Sequence, residues 1–248
     1  MATNGEYPER APPPCPDWVF SNTSDTHVAK DRCWFGADYI PLSSHVTDMA
    51  GGSAEVIGIG TVNLTTMSSP TETNADLHSS LHLKNVLHAP GMICNIIGGP
   101  MMEDYAVSCG PSSSDNSGQI MNKYGRTVAY FKPINPGPKL YLVQLAEPPS
   151  GYQFGISSLD PNGLYMIHAF WSHIERQRFA SLKACGLTQA SGVEPLTLSE
   201  KIWFRRRHMS QDGILIAYGL NKNRKEHQEE ARAIMRILKS HAEIETID

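Results

Sequence analysis

Long apolar runs are missing from this chain of 248 residues. A helix needs roughly 20 consecutive, mostly apolar residues to cross a bilayer. No stretch here approaches that length, so no membrane-spanning helix is expected. A basic excess is missing too: Lys and Arg total 21 against 25 Asp and Glu, for a net charge of −4. The broad positive face that phosphate backbones require is therefore not expected, and nucleic acid is not an expected partner. Paired-cysteine motifs are also lacking. The five cysteines, Cys15, Cys33, Cys94, Cys109 and Cys185, are odd in number and form no C-x-x-C pair. This predicts free thiols in a reducing, cytoplasmic setting. The Asn22-Thr23-Ser24 and Asn63-Leu64-Thr65 sequons are then chance matches. The opening residues MATNGEYPERAPPPCP hold no apolar h-region, so no secretory signal is expected there.

What the chain does have is turn chemistry. Twenty glycines and 17 prolines break its apolar residues into short runs, which favours a β-rich body over a helical bundle. Ile57–Leu64 alternates with period two, its glycines thinning one face. Leu81–Leu87 begins the same way, and Thr127–Phe131 and Leu140–Leu145 read as further strands. Ser68–Asp76 and Pro111–Gly118 are nearly free of apolar residues and read as hairpin tips. The expected organisation is a disordered, Pro-rich lead-in over 1–17, a β domain over 18–145, a linker over 146–163 and a helical region over 164–248. Within that last region Tyr165, Ile167, His168, Phe170, Trp171 and Ile174 fall near helical spacing. Thr197-Leu-Ser-Glu200 and Asn223-Arg-Lys-Glu226 have the form of capping boxes. Helices are expected over about 197–208, 211–219 and 224–242.

The segment Trp18-Val-Phe-Ser-Asn-Thr-Ser-Asp-Thr-His27 resembles the start of Copia-type retrotransposon proteases, members of the retropepsin-like aspartic proteases. Three later pieces follow in the family's order. Val56–Leu64 is similar to its Gly-containing strand pair, Leu83-Lys-Asn-Val-Leu-His-Ala-Pro90 to its L-K-N-V-L-Y-V-P strand, and Asn95-Ile-Ile-Gly98 to the segment that closes the half-barrel. The resemblance spans about 18–145, so it implies that this β domain is retropepsin-like and that the fold is mainly β: a small closed retropepsin-like barrel followed by C-terminal helices. The C-terminal part also resembles tails of fungal single-gene relatives of these elements.

The resemblance places the catalytic Asp-Ser/Thr-Gly triplet at Ser21, Asn22 and Thr23. An aspartic protease needs two carboxylates sharing a proton, one from each half of a dimer. A serine cannot share an acidic proton or serve as a general base near neutral pH, so proteolysis should be lost. A shifted reading, with Asp25-Thr26-His27 as the triplet, would keep Asp25 as a protease acid at the expense of the glycine.

The residues offer other chemistry. Asp25, His27, Lys30, Asp31 and Arg32 form a polar cluster after the first strand. One reading makes Asp25, His27 and Asp31 an acid–base set facing a cavity, and the other makes the cluster a solvated turn. Trp34 and Phe35, with Trp171 and His168, are the candidate pocket wall, against a plain core role. His78, His82 and His88 lack a third close ligand partner, so no metal and no cofactor is expected. Arg205-Arg206-Arg207-His208 reads as a solvated helix end.

Two functions follow as expectations. One is a non-proteolytic retropepsin-like protein that binds a small molecule. It would act as a cofactor-independent tailoring enzyme, an isomerase or cyclase, in fungal secondary metabolism. The other is a catalytically dead module that binds peptides or partners by strand addition, or dimerises.

Overall fold

The computed structural model describes residues 12–49, 51–70, 78–110, 117–133, 140–184, 195–217 and 220, and then 222–223, 228–229, 231–232, 234–236 and 238–239. Its body is mainly β. The strands are β1 (Trp18–Ser21), β2 (His27–Ala29), β3 (Ile40–Thr47), β4 (Ser53–Met67), β5 (His78–His88), β6 (Asn95–Gly98), β7 (Tyr105–Cys109), β8 (Gly118–Asn122), β9 (Thr127–Tyr130) and β10 (Tyr141–Leu142). Helices α1 (His173–Ala184), α2 (Leu198–Arg206) and α3 (Gln211–Ala217) follow.

Seven strands form one mixed sheet in the order β10-β1-β6-β2-β5-β4-β3, and β7-β8-β9 form a second sheet. The expected closed barrel does not form among the described residues. The large sheet keeps two edges, β10 and β3. The small sheet pairs only within itself and meets the large one through side chains and single bridges such as Phe131 to Val143.

Alternation decides what each face buries. In β4, Val62, Leu64 and Thr66 point inward, and in β5 Leu81 and Leu83 join them. The β4–β5 register slips between Gly60–Val86 and Val62–Leu83, so β5 holds one extra residue. Asn85 absorbs that bulge at φ 52°, a left-handed conformation that asparagine tolerates better than most residues. The slip turns Val86 back to the face of Leu81 and Leu83 and sends Leu87 to the other.

One face of the large sheet packs on the small sheet, with Trp18, Phe20, Leu64 and Ile97 against Ile120, Ala129 and Phe131. Trp18 and Trp34 meet edge to face there, with ring centres 5.5 Å apart. The other face, with Val19, Val28, Leu42, Ile59 and Ile96, is covered by Ala169, Trp171 and Phe179 from the C-terminal part. A third cluster joins Ile57 of β4 to Leu196, Phe204, Ile214 and Leu215 of the helices.

The C-terminal third follows expectation in part. Residues 146–163 contain no helix or strand, and α2 opens on the Thr197–Glu200 capping box. The described residues between 228 and 239 are helical, whereas Arg224, Lys225 and Glu226 of the second box lie outside the described residues. So do most of the two hairpin tips, over 71–77 and 111–116, Cys185 and the first 11 residues. The described part of the lead-in is packed rather than disordered: Cys15 and Asp17 are buried, and the Cys15 carbonyl accepts from Asn95 Nδ2 (2.9 Å). The aromatic segment departs from expectation: 164–171 is extended, and helix begins only at His173. Ser172 Oγ accepts the Glu175 N–H (3.3 Å), which starts the helix there.

The positioning feature is the insertion of β6. It runs parallel to β1 and antiparallel to β2, so it lies between two strands that the Ser21–His27 turn connects. The turn must pass over the end of β6, and only glycine fits at the crossing. A Cβ on Gly98 would lie 2.2 Å from the Thr26 carbonyl oxygen and 3.0 Å from that of Ser24. Backbone cannot step aside as a flexible side chain can. Gly98→Ala is expected to cost about 3 kcal/mol or more. Gly110→Ala, where a Cβ meets nothing within 4 Å, should stay within about 0.5 kcal/mol. Urea unfolding of both variants checks this, and equal effects would count against the close-approach argument.

Candidate functional site

The turn between β1 and β2 carries a cluster of hydroxyls where the resemblance places the protease triplet. Ser24 Oγ donates to Ser21 Oγ (2.9 Å), and Ser21 Oγ donates to the Ile167 carbonyl (2.9 Å) and lies 3.2 Å from Thr23 Oγ1. The turn is fixed to the framework by Gly99 N–H, which donates to the Ser24 carbonyl (2.7 Å). No carboxylate stands at position 21.

Residues 167–171 run between this turn and the end of β3, bridged to β3 at Phe170 and hydrogen-bonded to the turn on the other side. On one edge, Ala169 N–H donates to Ser24 Oγ (2.9 Å) and Asp25 N–H donates to the Ala169 carbonyl (3.1 Å). Trp171 N–H then donates to Asp25 Oδ1 (2.9 Å). On the other edge Phe170 exchanges both main-chain bonds with Thr47 at the end of β3 (2.8 and 3.0 Å). Phe170 and Thr47 make the paired main-chain bonds of one antiparallel bridge, while on the turn side two of the three bonds run to side chains, Ser24 Oγ and Asp25 Oδ1. These partners satisfy the segment's backbone and explain why it is not helical. Helix would leave the turn's donors and acceptors without partners.

Asp25 is closed by Arg176 of α1. Arg176 Nη2 lies 2.8 Å from Asp25 Oδ1 and donates to the Asp25 carbonyl (2.8 Å), while Nε donates to the Trp171 carbonyl (2.9 Å). Both charged side chains are 35% exposed, so the ion pair itself contributes on the order of 1 kcal/mol.

The other expected site residues fall in separate places. His27 is buried in β2, where its Nδ1 accepts the Gly98 N–H (2.9 Å). Burial lowers its pKa to about 4, so it is a neutral acceptor near neutral pH. Asp31, beyond the far end of β2, accepts the Cys15 N–H (2.8 Å). Burial pushes its carboxyl up, partly offset by that bond. Asp25, His27 and Asp31 thus each serve a different partner and do not converge as an acid–base set. Asn22 and Thr23 occupy the exposed part of the turn, and half-buried His168 reaches Thr23 Oγ1 at 3.3 Å.

Nor do the candidate wall residues share a pocket. Trp34 and Phe35 belong to the core on the small-sheet face, and Trp171 to the core on the other. Trp34 and Phe35 do border a cavity of about 390 Å³, but with Cys33, Asn63, Thr65 and Glu147. A second cavity, of about 470 Å³, lies among α2, α3 and Met235.

His78, His82 and His88 stand apart as well. His78 faces Glu147 (3.5 Å) and His82 bonds Asn63 Oδ1 (2.6 Å). His88 is buried between the Tyr39 hydroxyl (2.8 Å) and the Lys30 carbonyl (3.2 Å), and desolvation lowers its pKa to about 3. Among the described residues no group of three or more His, Cys, Asp or Glu is placed to hold a metal ion. No described helix is long and apolar enough to cross a membrane.

Sequence reasoning missed Arg176, Thr47 and the paired strand. The signal was present: Tyr165, Ile167, Ala169 and Trp171 alternate with period two, and all four are buried or half-buried. No protein-family model matches this chain, and no curated protein or solved structure matches it. The reading of the site therefore rests on its geometry.

The buried histidines set a pH dependence. A folded-state pKa near 4 for His27, against 6.5 unfolded, means that its stabilisation is complete above pH 6.5. That stabilisation is lost as pH falls toward 4, in all about 3 kcal/mol. His88 acts in the same direction, down to about pH 3. His27→Gln keeps an acceptor for Gly98 without a group that titrates there, so unfolding free energies measured from pH 7 to 4.5 should fall less steeply in that variant. An unchanged slope would remove His27 as a cause.

Proposed function

We propose that this chain is a non-proteolytic, retropepsin-like module that works by holding an extended polypeptide strand. The observation that carries the reading is the double-edged pairing of 167–171 between the Ser21–Asp25 turn and Thr47. The retropepsin-like part is supported by order and placement: the segments that resemble the family's triplet and its closing strand become β1 with its turn and β6, packed side by side.

Hydrolysis needs a carboxylate able to take and return a proton. Position 21 offers a hydroxyl already engaged in bonds to its neighbours. Asp25, the acid of the shifted triplet, is held by a guanidinium and a main-chain N–H. A cofactor-independent isomerase or cyclase would need an acid–base pair facing an enclosed cavity. Asp25 and His27 are instead engaged in fixing the turn. The described cysteines, Cys15, Cys33, Cys94 and Cys109, are all free, which suits a reducing, cytoplasmic compartment.

The module works as a single chain. A two-fold pairing of the retropepsin kind brings two such turns together, and here residues 167–171 already cover the turn. Sedimentation at micromolar concentration is expected to give the 27.3 kDa monomer.

The activity test uses unstructured peptide substrates between pH 4 and 7. No hydrolysis above the buffer rate is expected. Asp25→Asn, which keeps an acceptor for Trp171 N–H, should cost about 1 kcal/mol of stability and change no rate. Saturable cleavage that Asp25→Asn abolishes would overturn the proposal.

A further inference from the structure

The strand that fills the groove is specified by its side chains as well as its backbone. Ala169 is fully buried, and its N–H and carbonyl are both held by the turn. A larger side chain would have to displace packed neighbours. Two positions on, Trp171 is buried with its ring centre 6.0 Å from that of Phe179. Its indole N–H donates to Ser44 Oγ (3.0 Å), and the Ser44 hydroxyl donates to Glu175 Oε2 (2.6 Å). Phenylalanine would leave Ser44 without its donor. Five positions further, Arg176 binds both the side chain and the carbonyl of Asp25. Between Ala169 and Trp171, Phe170 points outward and is 46% exposed, as is Met166 before them at 75%.

We infer that the groove between the Ser21–Asp25 turn and Thr47 selects one segment pattern: a small residue, tryptophan two positions later, and arginine five positions after that, in the first turn of a helix. Residues 167–176 are the resident copy. A polypeptide of the same pattern from another molecule binds by displacing them. This rests on the strand-holding function proposed above. Displacement can begin at the exposed residues 160–162, beyond the anchor that Ser157, Ser158 and buried Leu159 make to the body. The resident copy competes at high effective concentration, so the native chain binds an incoming strand weakly. Loss of the Arg176–Asp25 contact loosens it.

The probe is a labelled synthetic peptide of residues 163–184, read by fluorescence anisotropy. Two forms of the full-length protein are used. One is Arg176→Ala, which removes the contacts to Asp25 and to the Trp171 ring but leaves Phe179 against that ring. The other carries a protease site inserted in the 160–163 turn and is cut after folding, which alters no packed residue. Circular dichroism melts establish that each form is folded.

The native peptide should bind both forms about tenfold more tightly than it binds the uncut native chain. Peptides carrying Ala169→Leu or Trp171→Phe should bind at least tenfold more weakly. If those variants and an unrelated strand-forming peptide all bind as tightly as the native peptide, the sequence pattern is overturned while strand holding survives. If no peptide binds either folded form, both fail.

Discussion

The molecule depends on one close approach, that of Gly98 to the carbonyls of Thr26 and Ser24. Because β6 lies between β1 and β2, the turn joining those strands cannot relax as an ordinary hairpin loop would. It is pressed against a third strand and held by the Gly99 N–H and by His27. Two consequences follow from the same constraint. The turn's hydroxyls and main-chain groups are fixed in direction, so they can grip a partner strand with little further loss of entropy. And His27 must stay neutral, because its Nδ1 lone pair is the acceptor for the Gly98 N–H. The acid sensitivity expected of the fold and the rigidity of this turn therefore have a common origin.

Much of this was legible in the sequence, and what was not has physical causes. The turn-rich composition and the alternation of β4 predicted a β body, and the Thr197–Glu200 box predicted where α2 begins. Such signals are local: periodicity and capping act over a few residues. Barrel closure is a matter of long-range pairing, and the alternation of β7, β8 and β9 fits a separate sheet equally well. The β5 bulge shows the limit within one strand. The alternation of Leu81 and Leu83 is broken by Lys84 and Asn85, and the phase change needed there depends on β4 opposite.

The site was less legible than the fold. The cluster Asp25, His27 and Asp31 is compact in sequence, but β2 runs between Asp25 and Asp31 and carries the chain away at about 3.3 Å per residue. Residues six apart therefore end with unrelated partners: Arg176 for Asp25 and Cys15 for Asp31. Arg176 is 151 residues from Asp25, and nothing local marks it. The 165–171 segment satisfied two periodicities. Its aromatic residues fit a helical stripe, while Tyr165, Ile167, Ala169 and Trp171 fit a strand. The competition was settled by partners outside the segment, since the turn and Thr47 offer its backbone more than a lone helical turn would.

Those same partners explain why a serine at position 21 belongs in this fold. A carboxylate at the end of β1 would face the Ile167 carbonyl, an acceptor facing an acceptor, and would need protonation or an added cation to remain there. The hydroxyl instead accepts from Ser24 and donates to Ile167, linking turn and strand in one chain of bonds. Thr23, where the resemblance places glycine, extends that network to His168. Catalysis and tight closure over 167–171 make opposite demands on this position: one requires an exposed acid beside a water, the other a neutral donor against a carbonyl. Ser21 meets the second demand, and Ser24 and Thr23 bond to it within the turn.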